Sequence, residues 1–437
     1  MNFNRTLLAV TLLSTFGLVS TTASAAGFQL AEYSATGLGR AYAGEAAMAD
    51  NASAQWRNPA MLTYLEGTQV SVGAIYVDPN LDVDGTVTHP TGSYNASSKD
   101  FANSAVIPNF YLSHQINEQW FTGFAAGTNY GMETELDKDF AASHFGNEAA
   151  VTTMELNANV AYKLNEQFSF GGGIRYIIAE GHFGATAPAH GCINLSEQYC
   201  HNIGGTTLKY MEGDTTDWGW QFGAAWQINK QHRIGATYKS QVDLTLKGHA
   251  EGIGFSPLNP SKKINGSMDL PLPATFELAS YHQVSEQWAI HASLNWTNWS
   301  SFDKLEANLN DRSNAEMVKV ENWEDNYRFA LGTTYQMSEK FALRSGIAYD
   351  TSAVSDKNRT ITIPETDRTW LSIGASYDLT KQFTLDGGFT YIIAKDADIT
   401  ESRGYESDDI AEAIGGQFVG TTTGDVWLLG IQANYTF

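Results

Sequence analysis

The sequence predicts an all-β protein, a transmembrane antiparallel β-barrel of about fourteen strands whose lumen is plugged by a small N-terminal helical hatch. Three observations predict it: a leader-like N-terminus, a short turn pattern that recurs six times, and period-two alternation running to the last residue.

At the N-terminus, Arg5 supplies a positive start, Leu7 to Val19 form an apolar stretch, and Ala23-Ser24-Ala25 reads as an A-x-A cleavage site. Residues 1–25 are therefore expected to be a signal peptide; a retained anchor is the alternative, for which the apolar run is short. Removing Arg5 takes the basic residues from 26 to 25 against 48 acidic ones, a net charge of −23. So acidic a chain has no electrostatic footprint for nucleic acid. Beyond the leader no run of 18 apolar residues occurs, so no membrane helix is available. Cys192 and Cys200 lie in a polar Gly/His/Asn-rich stretch, which in an exported protein predicts a local disulfide pinning a loop. Metal binding with His190 and His201 is the alternative, but structural zinc sites use tighter cysteine spacing. No metal and no cofactor are expected.

The turn pattern is an aliphatic residue or Met, then Asn/Ser/Thr, Glu/Lys, Gln/Lys and usually an aromatic. It starts at Ile116, Leu164, Ile228, Val284, Met337 and Leu379, so that copies lie 42 to 64 residues apart. That spacing holds two strands of ~9–11 residues and a longer loop. Six short periplasmic turns join seven hairpins, hence fourteen strands. A soluble propeller would repeat at uniform length, and these copies do not.

Reading back from Phe437 in steps of two gives Tyr435, Ala433, Ile431, Leu429 and Trp427, all apolar. The residues between are polar or small, Leu428 excepted. One set faces lipid and the other the lumen. The terminal Phe also suits recognition by the barrel assembly machinery, and outer-membrane lipid and lipopolysaccharide are the expected surroundings of a monomer.

The first clear strand is Thr68 to Val77, so residues 26–66 precede a barrel spanning 67–437. This prefix is rich in Gly and Ala and poor in charge, which suits a buried plug better than a tail. A plug implies a gated lumen and no simple water-filled pore.

Here the chain resembles a known family. G-F-Q-L-x-E-x-S-x-x-G-L-G-R-A-Y-x-G-E-x-A-x-A-D from Gly27 to Asp50, and R-N-P-A from Arg57 to Ala60, are similar to the FadL family of outer-membrane long-chain fatty acid transporters. The likeness continues in V-x-P-N at Val106, N-Y-G at Asn129, Y-R-x-A-L-G-T-T-Y at Tyr327 and N-R-x-I-x-I-P-x-x-D-R-x-W-L-S at Asn358. The resemblance implies fourteen strands and a hatch. Ligand would land on a groove between outer loops, pass to a pocket against the hatch's N-terminus, and leave sideways where the third strand kinks inward. Long-chain fatty acids or similar hydrophobic ligands are the implied cargo, with aromatic or other hydrocarbons the alternative within the family.

The same resemblance nominates residues. Gly131 matches the kink position, and glycine lets a backbone leave its ladder; packing beside an aromatic is the plainer reading. Asn58, Pro59 and Ala60 would gate the opening, Pro ending a helix and Asn capping it. Lys319 aligns with a basic pocket residue that would meet a carboxylate, although an exposed loop lysine fits equally. A second basic residue has no match, since Ala179 to Thr186 offers only His182. Arg359 and Arg368 are substitutes, or members of a lumen ladder with Asp367. Phe28 and Leu30 are expected to touch the ligand's tail. The groove loops fall at about 180–215 and 247–270, the second carrying Ile253, Phe255 and Leu258 as an apolar patch.

The competing class is an outer-membrane lipolytic enzyme. Neither G-x-S-x-G nor H-E-x-x-H occurs, and ten scattered histidines form no triad pattern. A transporter, not an enzyme, is expected.

Overall fold

Why each turn recurs is visible in its hydrogen bonds. In the turn at Ile116, Asn117 Oδ1 accepts the N–H groups of Gln119 and Trp120, both at 2.9 Å. Asn165 and Asn229 do the same for their own turns, Thr380 does it through a hydroxyl, and the Ser285 hydroxyl accepts the Trp288 N–H. A short polar side chain that bonds its own backbone two or three residues on makes a tight turn without glycine.

The computed structural model describes residues 27–89, 92–196, 199–402 and 415–437, and it does not describe the side chains of 192–201. The expected leader and residue 26 lie outside the described residues. The barrel strands are β1 (Thr68–His89), β2 (Gly92–Ser98 and Ala105–Gln115), β3 (Trp120–Gly127 and Gly131–Glu135), β4 (Glu148–Lys163) and β5 (Phe168–Thr186). They continue as β6 (Thr207–Asn229), β7 (His232–Lys239 and Val242–Glu251), β8 (Ile264–Leu272 and Thr275–Gln283) and β9 (Trp288–Thr297 and Lys304–Leu309). The last are β10 (Glu316–Val320 and Asn326–Ser338), β11 (Phe341–Asp350), β12 (Arg368–Asp378), β13 (Phe383–Ala394 and Ala397–Ser402) and β14 (Gln417–Thr436). Neighbours pair antiparallel, and β14 closes the barrel on β1 from Gln69↔Thr436 to Thr88↔Gln417.

Alternation sorts the faces as expected. Leu429 and Ile431 point out, while Leu428, the one exception in the pattern, is fully buried against the hatch. The strands are longer than the sequence pattern suggested, β1 having 22 residues, because a membrane span needs only ~9–11 and the rest rises above the bilayer. The two groove loops shrink accordingly to 187–206 and 252–263.

Inside the wall, residues 27–66 form short turns: α1 (Ala35–Leu38), α2 (Ala54–Arg57) and 3-10 turns at Glu45–Ala47 and Pro59–Tyr64. None is a stable helix alone; wall contacts hold them. A Cβ on Gly235 would lie 1.8 Å from the Ala46 carbonyl oxygen, so the hatch backbone rests directly on the wall there. Arg40 pairs with Glu45 at 2.6 Å and Asp50 at 2.8 Å, and the Tyr111 hydroxyl donates to the Tyr33 carbonyl. A second, unforeseen plug comes from above. The loop 351–367 between β11 and β12 folds inward and buries Ala353, Ile361, Thr362 and Glu365.

A candidate ligand chamber and wall opening

Several strands break at one level of the lumen, and the breaks supply the chamber's floor. Trp299 and Phe302 come from the interruption of β9, Trp323 from that of β10 and Tyr130 from that of β3. They surround Phe28, whose ring lies 4.6 Å from Trp299, 5.7 Å from Phe302, 6.0 Å from Trp323 and 6.1 Å from Tyr130. Edge-to-face aromatic pairs of this kind stabilise by about 0.5–1.5 kcal/mol each. Above them an apolar cluster fills the upper lumen, with Met211, Leu246, Leu270, Leu309 and Val318 among its members. Phe255 belongs to this cluster and is buried, so the outer patch expected on loop 252–263 retains only Leu258 fully exposed.

The charged groups sit at the edge of this apolar space. Lys319 is inside the barrel, 3.0 Å from Glu401 and 3.4 Å from the Thr362 hydroxyl, with its ammonium 5.7 Å from the Phe183 ring centre. Glu321, two residues on, is fully buried; Trp323 Nε1 donates to its Oε2 at 3.0 Å, and its Oε1 has no hydrogen-bond partner among the described residues. It lies in the break of β10, above Tyr327, where that strand's outward apolar row begins. Burial pushes the Glu321 carboxyl up to about 7, although Lys319 opposes the shift. The sequence reading missed Glu321, whose only signal was its place beside Lys319.

The wall's ladder is interrupted between β2 and β3. β2 pairs with β3 only from Gln115↔Phe121 to Phe110↔Ala126, and above that level one backbone bridge, Ala102↔Thr134, and side-chain bonds such as Asn103 to Glu133 link their upper segments among the described residues. β3 carries the cause. Its register with β4 changes between Gly127↔Glu155 and Gly131↔Thr152, so Thr128, Asn129 and Tyr130 face two residues. This is a bulge, which bends its strand away from the ladder. Hatch residues take over the lost pairing: Leu30 N–H donates to the Asn129 carbonyl at 2.7 Å, and Gly131 N–H donates to the Phe28 carbonyl at 2.8 Å. Gly131 is therefore the first residue after the bulge. Pro108, which lacks an N–H, lies on the unpaired stretch of β2, as edge prolines do.

The other nominated residues are dispersed. Leu30 packs in the lower, hatch-centred cluster and not with Phe28. Asn58 caps the turn after α2 by accepting the Ala60 N–H at 2.9 Å, and it donates to the Ala46 carbonyl at 2.6 Å and the Ala224 carbonyl at 3.1 Å. Pro59 and Ala60 lie against Gly171 of β5, so the Asn-Pro-Ala turn faces β5 and β6, while Gln55 and Trp56 face β3. Arg359 spends its donors on the Glu365, Asp398 and Val354 carbonyls and on Asp356. Arg368 pairs with Glu365, not with Asp367, which meets Lys395 at 3.4 Å; the Glu365 carboxylate also accepts the Gly27 N–H. His182 stacks on Tyr210 along the outward row of β5 that also carries Ile174 and Ile178, and supplies no lumen cation. The 192–202 hairpin sets Cys192 opposite Asn202 and Cys200 opposite Asn194; the expected disulfide falls on side chains outside the described residues.

Comparison with known proteins agrees with this architecture. Residues 16–437 match the model of the outer membrane protein transport protein family, OMPP1/FadL/TodX. A long-chain fatty acid transport protein of Escherichia coli O6:H1 is 34% identical, covering 100% of this chain and 99% of that one. A 47 kDa outer membrane protein of Pasteurella multocida is 36% identical over 90% of this chain and 92% of its own. Among solved structures, a Pseudomonas aeruginosa FadL homologue superposes with a TM-score of 0.82 at 22% identity, over 94% of this chain and 100% of the other. The Ralstonia pickettii toluene transporter TbuX gives 0.64 at 17% identity, over 93% and 100%, and shares the fold. The family and its fatty acid relative are described as transport proteins, which sets aside the lipolytic enzyme. A closed barrel with a lumen hatch, matched along nearly its whole length, places this chain in the OMPP1/FadL/TodX family of Gram-negative outer-membrane transport proteins.

Proposed function

We propose that the protein carries long-chain fatty acids passively across the outer membrane, holding them in the upper chamber and releasing them sideways between β2 and β3. One observation carries the reading: the segment Phe28–Leu30 is at once the floor of the apolar chamber and the partner of the bulged strand at the wall opening. A ligand that displaces Phe28 also withdraws the backbone that frames the opening. Each CH₂ kept from water contributes about 0.8 kcal/mol, so a dry path from chamber to bilayer suits an acyl chain.

Aromatic hydrocarbons are the second reading, since relatives of the same fold are toluene transporters. Lys319, Glu401 and Glu321 favour the first, because a neutral hydrocarbon makes no use of charged groups at its pocket. Labelled oleate uptake by cells making the protein tests it. Gly131→Trp is expected to reduce uptake in a correctly folded barrel. Full uptake by this variant would reject the lateral gate, and the wild-type protein purified without detergent exchange should yield a fatty acid on lipid extraction.

The pH dependence has a definite sign. The Glu321 carboxyl is neutral below about 7 and gains charge as pH rises through it, next to the place a ligand carboxylate would occupy. Oleate affinity is therefore expected to fall between about pH 6 and pH 8, and Glu321→Gln to flatten that fall. An unchanged slope in the variant, measured by titrating a fluorescent fatty acid, would assign the effect to another group.

A further inference from the structure

Below the chamber floor, a second cation faces the wall opening from inside. Lys239, at the end of the first half of β7, is 4% exposed; its ammonium lies 3.4 Å from Asn129 Oδ1 and 4.8 Å from the ring centre of Trp56. Asn129 belongs to the bulge, and its carbonyl is the one that Leu30 holds. A neighbouring carboxylate is already taken: Glu155 accepts Arg175 Nε at 2.9 Å, Arg175 Nη2 at 2.8 Å and Asn129 Nδ2 at 2.6 Å. Around Lys239, then, Arg175 is matched by Glu155 and Arg57 by Glu277 at 3.7 Å. Lys239 itself forms no ion pair among the described residues. A buried ammonium without a carboxylate is costly unless an anion joins it.

A second observation points to an occupant. Asn109, on the β2 edge of the same opening, is 1% exposed, and neither its amide nitrogen nor its amide oxygen has a hydrogen-bond partner among the described residues. Lys239 also lines a cavity with Gln29, Leu30 and Ala31, the hatch segment that closes the opening. We infer that Lys239 is a transit site for the cargo's carboxylate, reached after Lys319 and just before the opening in the wall. The inference rests on the fatty-acid reading above, and it supplies the second basic group that the β5 sequence lacks. A carboxylate arriving here makes a charge-assisted bond to Lys239 and has the Asn109 amide as a donor across the opening. A neutral chain of equal length makes neither, so Lys239 acts on anionic cargo alone.

The test compares labelled oleate with labelled oleyl alcohol in cells making wild-type protein or Lys239→Gln, with folding verified by heat-modifiable gel migration. Glutamine retains a donor for Asn129 and removes the charge. Oleate uptake is expected to fall about tenfold, the loss of one charge-assisted hydrogen bond, with oleyl alcohol uptake unchanged. Equal loss of both cargoes, which a merely structural bond to Asn129 would produce, overturns the inference, as does full oleate uptake. Wild-type cells that take up the alcohol but no oleate would overturn the fatty-acid reading itself, a result distinct from either.

Discussion

Deleting Thr128 is expected to cut oleate uptake by at least about tenfold while leaving a folded barrel. Three residues of β3 face two of β4, so removing one restores a continuous register from Gly127 to Gly131. A strand without its bulge runs straight, and its free backbone groups then meet the unpaired stretch Ala105–Asn109 of β2. Only Pro108 lacks an N–H there, so nearly every new ladder bond can form. Each contributes about 0.5–1.5 kcal/mol, enough for the closed wall to outweigh the hatch contacts at Phe28 and Leu30. The decisive measurement pairs uptake with thermal unfolding in detergent: low uptake in a barrel at least as stable as wild type is the expected result. Wild-type uptake would mean that cargo leaves by another route.

The second large effect falls on stability. Arg175→Met removes one partner of a pair whose members are both about 1% exposed, and it strands the Glu155 carboxylate. Breaking a buried pair in this way costs about 3–5 kcal/mol, far more than the pair contributes relative to apolar replacements. Glu155→Gln combined with Arg175→Met should recover most of the loss, because no carboxylate is then left without its guanidinium. Urea unfolding of the three variants in lipid vesicles separates these cases; equal destabilisation of single and double variants would show that packing, not charge, holds this site. Asn129 bonds Glu155 at 2.6 Å, so the single variant should also loosen the bulge and raise leakage of small solutes.

How much was legible depended on how local the cause was. The Asn, Ser or Thr of each turn acts on N–H groups two or three residues away, so the turn could be recognised from five letters. Leu428 broke the terminal alternation because it faces the hatch, a contact nearly four hundred residues distant in sequence. Trp299, Phe302 and Trp323 escaped notice because a tryptophan in a strand break looks like any loop aromatic until Phe28 is placed among them. Asn58-Pro59-Ala60 was assigned to the opening from resemblance, but its contacts are with β5 and β6. Arg368 was matched to Asp367 by adjacency, yet successive residues on an extended chain point apart, and Glu365 on the inward loop is the partner.

By itself, then, the sequence determined the barrel, its strand number and the presence of a plug, because period-two alternation, turn chemistry and apolar composition act over a few residues. The tertiary structure alone decided where the wall opens, what closes it and which charges remain unmatched. An opening is the absence of pairing between two strands, and an unmatched lysine is the absence of an ion pair among the described residues. Neither exists until residues as far apart as Phe28, Asn129 and Lys239 are brought together.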